Sequence, residues 1–362
     1  MTRVLVVNAG SSTLKLAVLD GADGLVAQHE LPRADDLADR VGEVLDAAAG
    51  AGGGVDVVGH RVVHGGPHLT APVLVDEGVE ARLRDLVPLA PLHQPAALAG
   101  IAAVRSARPD LPQVACFDTA FHATLPPAAA TYAVPAEWRE RYGVRRYGFH
   151  GLSHAHATRR AGELLGGVPR RLVTCHLGAG ASLAAVLEGR SVDTTMGFTP
   201  LEGLVMATRS GSLDPGLVTW LQREADLSAD EVEGALNARS GLRGLAGTGD
   251  MREVLARDDA AARLALDVYV HRLRQLVAAM AAALGGLDAL AFTGGVGERS
   301  PEVRRLAAEG LDWLGVAVEE PAGGAGGQDV EVTAPGAAVR TVVVHAREDL
   351  EVARQARSVL RG

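Results

Sequence analysis

The chain has 362 residues, of which 48% are hydrophobic and 22% charged, and its formal net charge is −9. This length favours two domains with separate cores, and the composition is that of an ordinary globular protein. The acidic balance argues against a nucleic-acid partner, because binding phosphates over a wide face needs a basic surface. Since no segment approaches the ~20 consecutive apolar residues of a membrane helix, no membrane partner is expected.

Apolar runs alternate with helical patterns along the chain, and this alternation predicts the α/β class. The predicted strands are Val4–Val7, Leu16–Leu19, Val55–Val58, Val114–Phe117, Leu172–Cys175, Ala184–Leu187, Leu287–Thr293 and Val339–Val344. The predicted helices include Leu92–Arg105, His154–Leu165, Asp258–Leu284 and Asp349–Leu360. Gly285 and Gly286 are expected to end the third of these helices, and the glycine-rich stretches at 50–54 and 321–328 are predicted loops.

Both cysteines, Cys116 and Cys175, lie within apolar strand-like runs. A thiol in such a run usually behaves as a small buried hydrophobe, so reduced cytosolic thiols are expected. The N-terminal sequence leads directly into a strand, and its apolar stretch is too short for a signal peptide. These features predict a cytoplasmic protein.

An internal repeat organises the chain. Residues 4–21 align without gaps with residues 172–189, so that "VLVVNAGSSTLKLAVLDG" lies over "LVTCHLGAGASLAAVLEG". Both copies run from a strand through a glycine turn into a second strand, which favours duplication, although chance contributes in a chain rich in Ala, Gly, Val and Leu. Two such hairpins are expected to place two phosphate-binding loops across an interdomain cleft.

The first hairpin turn, "NAGSSTLK" at 8–15, combines features that bind anions. Backbone N–H groups at a glycine turn form a concavity for an anion, and the hydroxyls and the Lys15 ammonium add to it. An ordinary hairpin turn is the alternative, and neither GxxxxGK[ST] nor GxGxxG occurs in the chain. In "FTGGVGERSP", Ser300 before Pro301 is typical of a helix start that suits a phosphate or ribose, or of a sharp βα turn.

Two arginines stand in unusual settings, Arg61 at a strand end in "GHRVVHGG" and Arg209 in the turn "TRSGSLDPG". A guanidinium matches carboxylate or phosphate with two prongs, so two converging arginines suit a carboxylate substrate and its phosphorylated product. Structural salt bridges are the alternative. Asp118 ends a strand in "CFDTAFH", a usual position for a metal-binding or catalytic carboxylate.

Three histidines in "YGFHGLSHAHA", His150, His154 and His156, raise the question of zinc. No glutamate stands where a zinc-protease helix requires one, and the glycine after His150 disfavours a helical position for it. A zinc site is therefore not expected.

Taken together, these segments resemble the acetate kinase family over essentially the whole chain. The blocks that carry the resemblance are "NAGSSTLK", "GHRVVHGG", "APLHQPA", "FDTAFH", "YGFHGLSH", "HLGAGAS", "GFTPLEGLVMATRSG", "GTGDMR", "FTGGVGER" and "REDLEVAR". The family belongs to the acetate and sugar kinase, Hsc70 and actin superfamily. The resemblance implies a homodimer whose chains each contain two duplicated RNase H-like α/β domains around an active-site cleft. Residues 1–149 with 350–362 would form the N-terminal lobe, and residues 150–349 the nucleotide-binding lobe.

The resemblance also implies a role for individual positions. The implied catalytic residues are Arg61, Asp118, His150 and Arg209, and those that support the transition state are His93, His150 and Arg209. The implied substrate-binding residues are Arg61, Val63, Leu92, Phe149 and Pro200. The implied nucleotide-binding residues are Asn8, Lys15, His176, Gly178, Gly180, Asp250, Arg252, Gly294, Gly295 and Gly297. Asn8 and Glu348 are the implied metal ligands, with Asp118 associated with the same Mg²⁺; Mn²⁺ is the alternative ion.

The implied reaction is reversible transfer of the ATP γ-phosphate to acetate, which gives acetyl phosphate and ADP. Acetate is favoured because the implied pocket is small and apolar, but one methylene changes discrimination by only ~1–3 kcal/mol, so propionate is the alternative. A nucleotide-dependent switch without acyl transfer is a second alternative, because a fold does not fix a function. A relative that has lost activity is a third.

The sequence departs from the family pattern at three positions. Ala179 replaces the asparagine of the family's HLGNG block, which removes an amide donor for phosphate. Arg347 stands before Glu348 where the family has TNEEL, and pairing between these two side chains would weaken metal binding. Thr13 replaces serine and keeps the hydroxyl.

The Ala179→Asn variant is expected to turn over faster than the parent chain. Losing one charge-assisted hydrogen bond costs roughly 1.5–3 kcal/mol where nothing replaces it, and the variant restores the donor. Turnover at saturating substrate measures the effect, and a value equal to or below that of the parent contradicts the argument.

Overall fold

The computed structural model describes residues 2–10, 13–32, 36–50, 53–91, 93–321 and 327–361. The predicted substrate-binding residue Leu92 lies outside the described residues, as do positions 11 and 12 of the first hairpin turn and parts of both predicted glycine-rich loops.

Strands and helices alternate along the described chain, as the α/β prediction requires. The strands are β1 Val4–Ala9, β2 Thr13–Leu19, β3 Leu25–Pro32, β4 Val57–Val62, β5 Val73–Leu74, β6 Gln113–Phe117, β7 Arg171–Leu177, β8 Ala181–Leu187, β9 Arg190–Thr194, β10 Ala289–Thr293, β11 Val330–Glu331 and β12 Arg340–Val343. The helices are α1 Leu37–Gly50, α2 Glu77–Asp85, α3 Gln94–Ala107, α4 Pro127–Ala130, α5 Ala136–Tyr142, α6 Gly151–Leu165, α7 Pro215–Glu224, α8 Ala229–Ala238, α9 Gly241–Ala246, α10 Met251–Leu255, α11 Ala260–Leu284, α12 Gly294–Arg299, α13 Pro301–Glu309 and α14 Glu348–Arg361.

The strands form two six-stranded sheets with one topology. The order is β3-β2-β1-β4-β6-β5 in the first sheet and β9-β8-β7-β10-β12-β11 in the second. In each, an antiparallel three-strand meander is followed by two parallel strands and a short antiparallel edge strand. Because the same succession of five antiparallel and parallel pairings occurs in both sheets, the sheets confirm the predicted duplication.

The two hairpins of the repeat differ by one residue in their turns. Ala9 pairs with Leu14 in the first hairpin, whereas Leu177 pairs with Ala181 in the second. The first turn closes with the Gly10 N–H donating to the Thr13 carbonyl, and the second spans only 178–180. The ungapped alignment is therefore correct in the first strand of each copy and wrong by one position after the turn.

Both faces of the first sheet are covered by helices, so its central strands are buried on both sides. Leu5 and Val7 pack in a core with α1 and α3, whereas Val4 and Val6 pack in a core with α14. Gly59 of β4 lets α14 approach closely, because a Cβ at this position would lie 2.6 Å from a Val352 methyl. This close contact seats the helix that begins at Glu348.

Two helix ends follow the sequence prediction. α11 ends at Gly285, which adopts the left-handed conformation with φ 69° that glycine supplies at helix C-termini. α13 begins at Pro301, and the Ser300 hydroxyl accepts a hydrogen bond from the Val303 N–H at 3.3 Å. The segment "GGVGER" before it is itself a short helix, α12. The sequence did not predict this helix, because glycine is unfavourable in helices.

The chain divides into two compact units. Unit 1 comprises Met1–Ala123, Phe149–His156 and Arg347–Gly362, and unit 2 comprises Thr124–Gly148 and Ala157–Ala346. Residues 124–148 pack with unit 2, in contrast to the lobes drawn from the sequence; for example, the Thr124 hydroxyl donates to the Ser191 carbonyl at 2.8 Å. The division into functional lobes remains a prediction.

Among the helices of the described residues, none combines the length and the apolar character needed to cross a membrane.

Candidate functional site

Strand register gathers polar side chains at one edge of the first sheet. Asn8, near the end of β1, pairs with Lys15 on β2 and with Arg61 on β4. Asp118 directly follows β6, whose Cys116 pairs with Arg61. Because β1, β4 and β6 are parallel, their carboxyl ends meet at the same edge. The predicted residues of this sheet therefore come together there.

Side-chain alternation places these residues on one face of the sheet as well. Asn8 lies two positions after Val6, and Asp118 two positions after Cys116, and both of these apolar residues pack against α14. Glu348 is the first residue of α14. The helix that covers this face thus delivers a second carboxylate to the same edge.

The Arg61 guanidinium is held between two carboxylates. Its Nε and Nη2 donate to Asp118 at 3.1 and 2.8 Å, and Nη1 lies 2.8 Å from Glu348 Oε2. The Asp118 side chain is 2% exposed, whereas those of Arg61 and Glu348 are 20% and 18% exposed. Burial alone lowers the pKa of Arg61, but the charges of Asp118 and Glu348 outweigh it and raise the pKa, so the arginine stays charged.

His150 precedes α6 in a strained backbone conformation. Its φ is 57°, in the left-handed region that residues other than glycine rarely adopt. The following Gly151 donates its N–H to the Asp118 carbonyl at 2.8 Å, and a Cβ there would clash with that oxygen. The start of α6 is thereby attached to Asp118, and the prediction that His150 lies outside the helix is confirmed.

Three buried histidines near this edge are neutral. Burial lowers the pKa of His60, His64 and His122 to about 4 in each case. His60 Nε2 lies 2.7 Å from Gln113 Oε1, His122 Nε2 lies 3.0 Å from the Phe149 carbonyl, and the His64 ring meets Phe149 edge-on. His64 and His122 thus contact Phe149 of the predicted acyl pocket, and none of the three histidines adds positive charge beside Arg61.

Unit 2 contains the second predicted arginine, and its environment differs from that of Arg61. Arg209 Nη1 donates to the Pro200 carbonyl at 3.2 Å and lies 3.9 Å from Met206 Sδ. Within the described part of the chain no carboxylate forms an ion pair with Arg209. Burial lowers its pKa, and no neighbouring anion offsets that effect. The structure therefore joins Arg209 to Pro200, a second predicted substrate residue.

Unit 2 also contains a cavity of about 550 Å³, a size typical of small-ligand sites. Its lining includes Gly178, Asp250, Arg252 and Gly295, four of the predicted nucleotide-binding residues. Asp250 and Arg252 pair with each other, and the hydrogen bond from Arg252 lowers the pKa of Asp250 to about 2. Three segments that are far apart in sequence, the turn after β7, the start of α10 and the start of α12, thus meet at one cavity.

The other predicted nucleotide-binding residues of unit 2 are not part of this lining. These residues are His176, Gly180, Gly294 and Gly297, and each is within two positions of a lining residue in the sequence. Gly294 has φ 79°, and a Cβ there would meet the Leu177 backbone at 2.9 Å. Gly294 therefore allows α12 to start directly against β7, and its role in the structure is close packing.

Sequence reasoning missed further cations of the cavity. Arg243 and Arg299 line it together with Arg252, so three arginines accompany the single carboxylate of Asp250 in the lining. Arg299 lies at the end of the quoted "GGVGER" block and was a detectable signal. Arg243 lies in "GLRGLAG", where nothing in the local pattern marks it as a ligand-binding residue.

The three departures from the family pattern resolve differently. Arg347 was expected to pair with Glu348. It forms a two-pronged ion pair with Asp349 instead, with distances of 2.8–3.2 Å. The prediction was wrong because Arg61 already holds Glu348, whereas Asp349 is available to Arg347.

The other two departures concern Ala179 and Thr13. Ala179 lines the cavity, and its carbonyl accepts a hydrogen bond from the Ala207 N–H at 3.1 Å. Thr13 begins β2.

The oxygen atoms at the sheet edge suit a hard divalent cation. Mg²⁺ prefers carboxylate and amide oxygens and is usually held by one or two carboxylates, waters and substrate phosphates. Asp118, Glu348 and Asn8 supply such oxygens at this edge. Among the described residues, no group of three or more His, Cys, Asp or Glu side chains is arranged to hold a metal ion by itself.

Residues 43–354 match the acetokinase family. The chain belongs to this family. Its sequence is 46% identical to the acetate kinase of Streptomyces coelicolor over 390 aligned residues, which cover 98% of this chain and 96% of that protein. Solved structures of this family also match nearly the whole chain. The Porphyromonas gingivalis acetate kinase has a TM-score of 0.90 at 33% identity, with 99% of this chain and 100% of that chain covered.

A second solved structure that is similar to this chain is a propionate kinase. The propionate kinase from Francisella tularensis has a TM-score of 0.91 at 32% identity and covers 99% of this chain and 100% of its own. The predictions of family, of duplicated α/β domains and of a kinase are confirmed by these similarities and by the topology of the sheets. The roles assigned to single residues remain predictions.

The free energy of unfolding is expected to fall as the pH drops, in part through His60. The folded pKa of about 4 lies below the ordinary 6.5, so the unfolded chain takes up a proton that the folded chain does not. The stabilisation is present above pH 6.5 and is lost as the pH approaches 4, with about 1.5 kcal/mol lost between pH 6.5 and about pH 5.

Chemical denaturation of the parent chain and of His60→Gln at these two pH values measures this contribution. The variant should lose less stability than the parent on acidification, by about that amount. His68→Gln, at an exposed position, is the matched control and should behave as the parent does. Equal losses in all three proteins would contradict the assignment.

Proposed function

We propose that this protein is an acetate kinase, which transfers the γ-phosphoryl group of ATP reversibly to the carboxylate of acetate. Membership of the acetokinase family supports the proposal, and the observation that carries it is the half-buried Arg209 guanidinium. Removing a charge from water is costly unless the charge is paired, and Arg209 has no ion-pair partner among the described residues. An anionic substrate or phosphoryl group is the partner that this site requires.

The chemistry needs charge neutralisation more than acid–base catalysis. A carboxylate oxygen of acetate is already a nucleophile, so it attacks the γ-phosphorus directly, the bond to the β-phosphate oxygen breaks, and ADP leaves. The barrier lies in bringing two anions together. Arg61 and Arg209 are the side chains that we assign to this task, because a guanidinium binds carboxylate and phosphoryl oxygens with two parallel hydrogen bonds.

Arg61 is prepared for this task by its neighbours. Asp118 accepts hydrogen bonds from Nε and Nη2 of Arg61, and these two bonds fix the plane of the guanidinium. Glu348 contacts Nη1. A preorganised cation stabilises developing charge without reorganisation. In the proposed function, Asp118 thus acts first by orienting Arg61.

We assign Asn8, Asp118 and Glu348 to a divalent cation, Mg²⁺ or Mn²⁺. Asp118 and Glu348 bring two carboxylates to the two sides of one guanidinium at this edge, and carboxylate oxygens are ligands that a hard divalent cation prefers. The bound ion would neutralise charge on the phosphates of the nucleotide. The same carboxylates must then serve both Arg61 and the ion.

The nucleotide is assigned to the cavity of unit 2. Three arginines and one carboxylate in its lining give it an excess positive charge, which suits a polyphosphate. Gly178, Gly249 and Gly295 in the lining leave space for backbone contact with a ligand. Lys15, His176 and Gly180 remain predicted contacts of the phosphates.

The acyl group is assigned to the predicted substrate-binding residues. Those that the structure describes are Val63, Phe149 and Pro200, and Phe149 is 1% exposed. Acetate is proposed over propionate on the small size of the predicted pocket. His150, in its strained conformation, and His93, before α3, are proposed to hydrogen-bond the transferred phosphoryl group. We also propose a cytoplasmic homodimer.

The reaction product tests the proposal directly. Hydroxylamine converts an acyl phosphate to a hydroxamate, which is measured as its coloured iron complex. With ATP and Mg²⁺, acetate is expected to give the highest yield at limiting substrate, propionate less by up to about 100-fold, and butyrate still less. No hydroxamate from any of the three acids would reject the proposed function.

The Arg61→Ala variant separates a kinase from a nucleotide-dependent switch. Loss of the guanidinium should lower phosphoryl transfer by at least about 100-fold, because it removes transition-state stabilisation, while affinity for ATP stays nearly unchanged. Isothermal titration with ATP and the hydroxamate assay measure the two effects. Arg84→Ala, at an exposed arginine of α2, is the control and should leave both unchanged. Equal loss of ATP binding and of transfer would contradict the proposed role.

A further inference from the structure

Unit 2 contains a cluster of three side chains, none of which belongs to the sites described above. Glu202, in the loop that carries Pro200, has both carboxylate oxygens occupied. The Tyr132 hydroxyl donates to Oε2, and Arg146 Nη2 donates to Oε1 at 2.8 Å. The Arg146 guanidinium also lies over the Tyr132 ring, 5.3 Å from its centre. Each member of this triad, Tyr132, Arg146 and Glu202, therefore contacts the other two.

The triad also holds the backbone on the N-terminal side of Pro200. The Phe198 N–H donates to the Tyr132 hydroxyl oxygen at 3.0 Å. Arg146 Nη1 donates to the carbonyls of Thr195 and Met196 at 3.2 and 3.1 Å. The Tyr132 hydroxyl thus donates one hydrogen bond to Glu202 and accepts one from the Phe198 N–H, so its proton and its oxygen both have partners. The loop is attached on both sides of Pro200.

The triad leaves no room for a side chain at position 197. A Cβ at Gly197 would clash with both the Tyr132 hydroxyl and the Glu202 carboxylate. Burial, together with the bond to Glu202, raises the pKa of Tyr132, so the phenol keeps the proton that it donates. Burial of Arg146 is offset by Tyr132 and Glu202, which raise its pKa. The three groups form one charge-assisted network of fixed geometry.

Pro200 connects this network to Arg209. The Arg209 guanidinium donates to the Pro200 carbonyl at 3.2 Å, its one oxygen contact among the described residues. The position of that carbonyl depends on the loop 198–202, whose two ends the triad fixes. We propose that Tyr132, Arg146 and Glu202 are positioning residues, which set the acyl-side geometry of Pro200 and the direction of the Arg209 guanidinium. This inference rests on the function proposed above.

The triad is separate from the nucleotide cavity, so its loss should affect the two substrates unequally. None of its three members lines that cavity. Tyr132→Phe removes the hydroxyl and keeps the ring beneath Arg146. Glu202→Gln keeps an oxygen for Tyr132 and removes the charge that Arg146 contacts. For each variant we expect a rise of about 10-fold in KM for acetate, or an equal fall in kcat, with KM for ATP within twofold of the parent.

The control is Tyr142→Phe, at an exposed tyrosine of α5 in the same segment, which should leave all constants unchanged. A purely structural role for the triad would lower the melting temperature and the fraction of active enzyme without separating the two KM values. Unchanged constants in Tyr132→Phe and Glu202→Gln, or equal changes in both KM values, would overturn the proposal.

Hydrogen exchange followed by mass spectrometry provides a readout that does not need activity. Tyr132→Phe should speed exchange in peptides covering 198–209 and leave peptides of α11 unchanged. An unaltered rate in 198–209 overturns the positioning proposal even if the enzyme is active. Absence of hydroxamate in the parent chain rejects the proposed function instead, so the two failures are distinguishable.

Discussion

The structure of the candidate site depends on how one charged group is neutralised. Arg61 would be costly to bury alone, and it is held at the sheet edge because Asp118 and Glu348 bind opposite sides of its guanidinium. This requirement fixes the end of β4, the residue after β6 and the first residue of α14 relative to one another. Arg209 is the opposite case, since it is half-buried without a carboxylate partner in the described chain. One guanidinium is thus neutralised within the chain, whereas the other is not.

Duplication supplied the scaffold, and the strand ends then diverged. Asn8 and His176 correspond in the sequence repeat, and their neighbours on the next parallel strand are Arg61 and Thr293. The first position carries a cation, whereas the second leads into α12, whose residues line the cavity of unit 2. The same sheet topology therefore presents an arginine with carboxylates in one unit and a glycine-rich helix start in the other. A sheet edge can change its chemistry while its core stays the same, because core and edge are built from different residues.

Much of this could be predicted from the sequence. Hydrophobic patterns located eight of the twelve described strands, with ends that differ from the observed ones by up to four residues, and missed β3, β5, β9 and β11. The motif blocks indicated the family, the duplicated domains and Arg61, Asp118 and Glu348 as members of one site. The failures have physical causes. Arg347 was assigned to Glu348 because the two are adjacent in sequence, yet Arg61 competes for that carboxylate from another strand. Arg243 and the Tyr132–Arg146–Glu202 triad carry no local signature, since their partners are distant in the chain.

The sequence by itself determined the elements and the motif residues, because side-chain periodicity, glycine turns and helix caps act over a few residues. Only the tertiary structure decided which charged groups meet. Arg61 is 57 residues from Asp118 and far from Glu348, and strand register together with the packing of α14 brings them within hydrogen-bonding distance. Such pairings depend on desolvation and on competition among partners, which are properties of the folded chain and not of any segment of it.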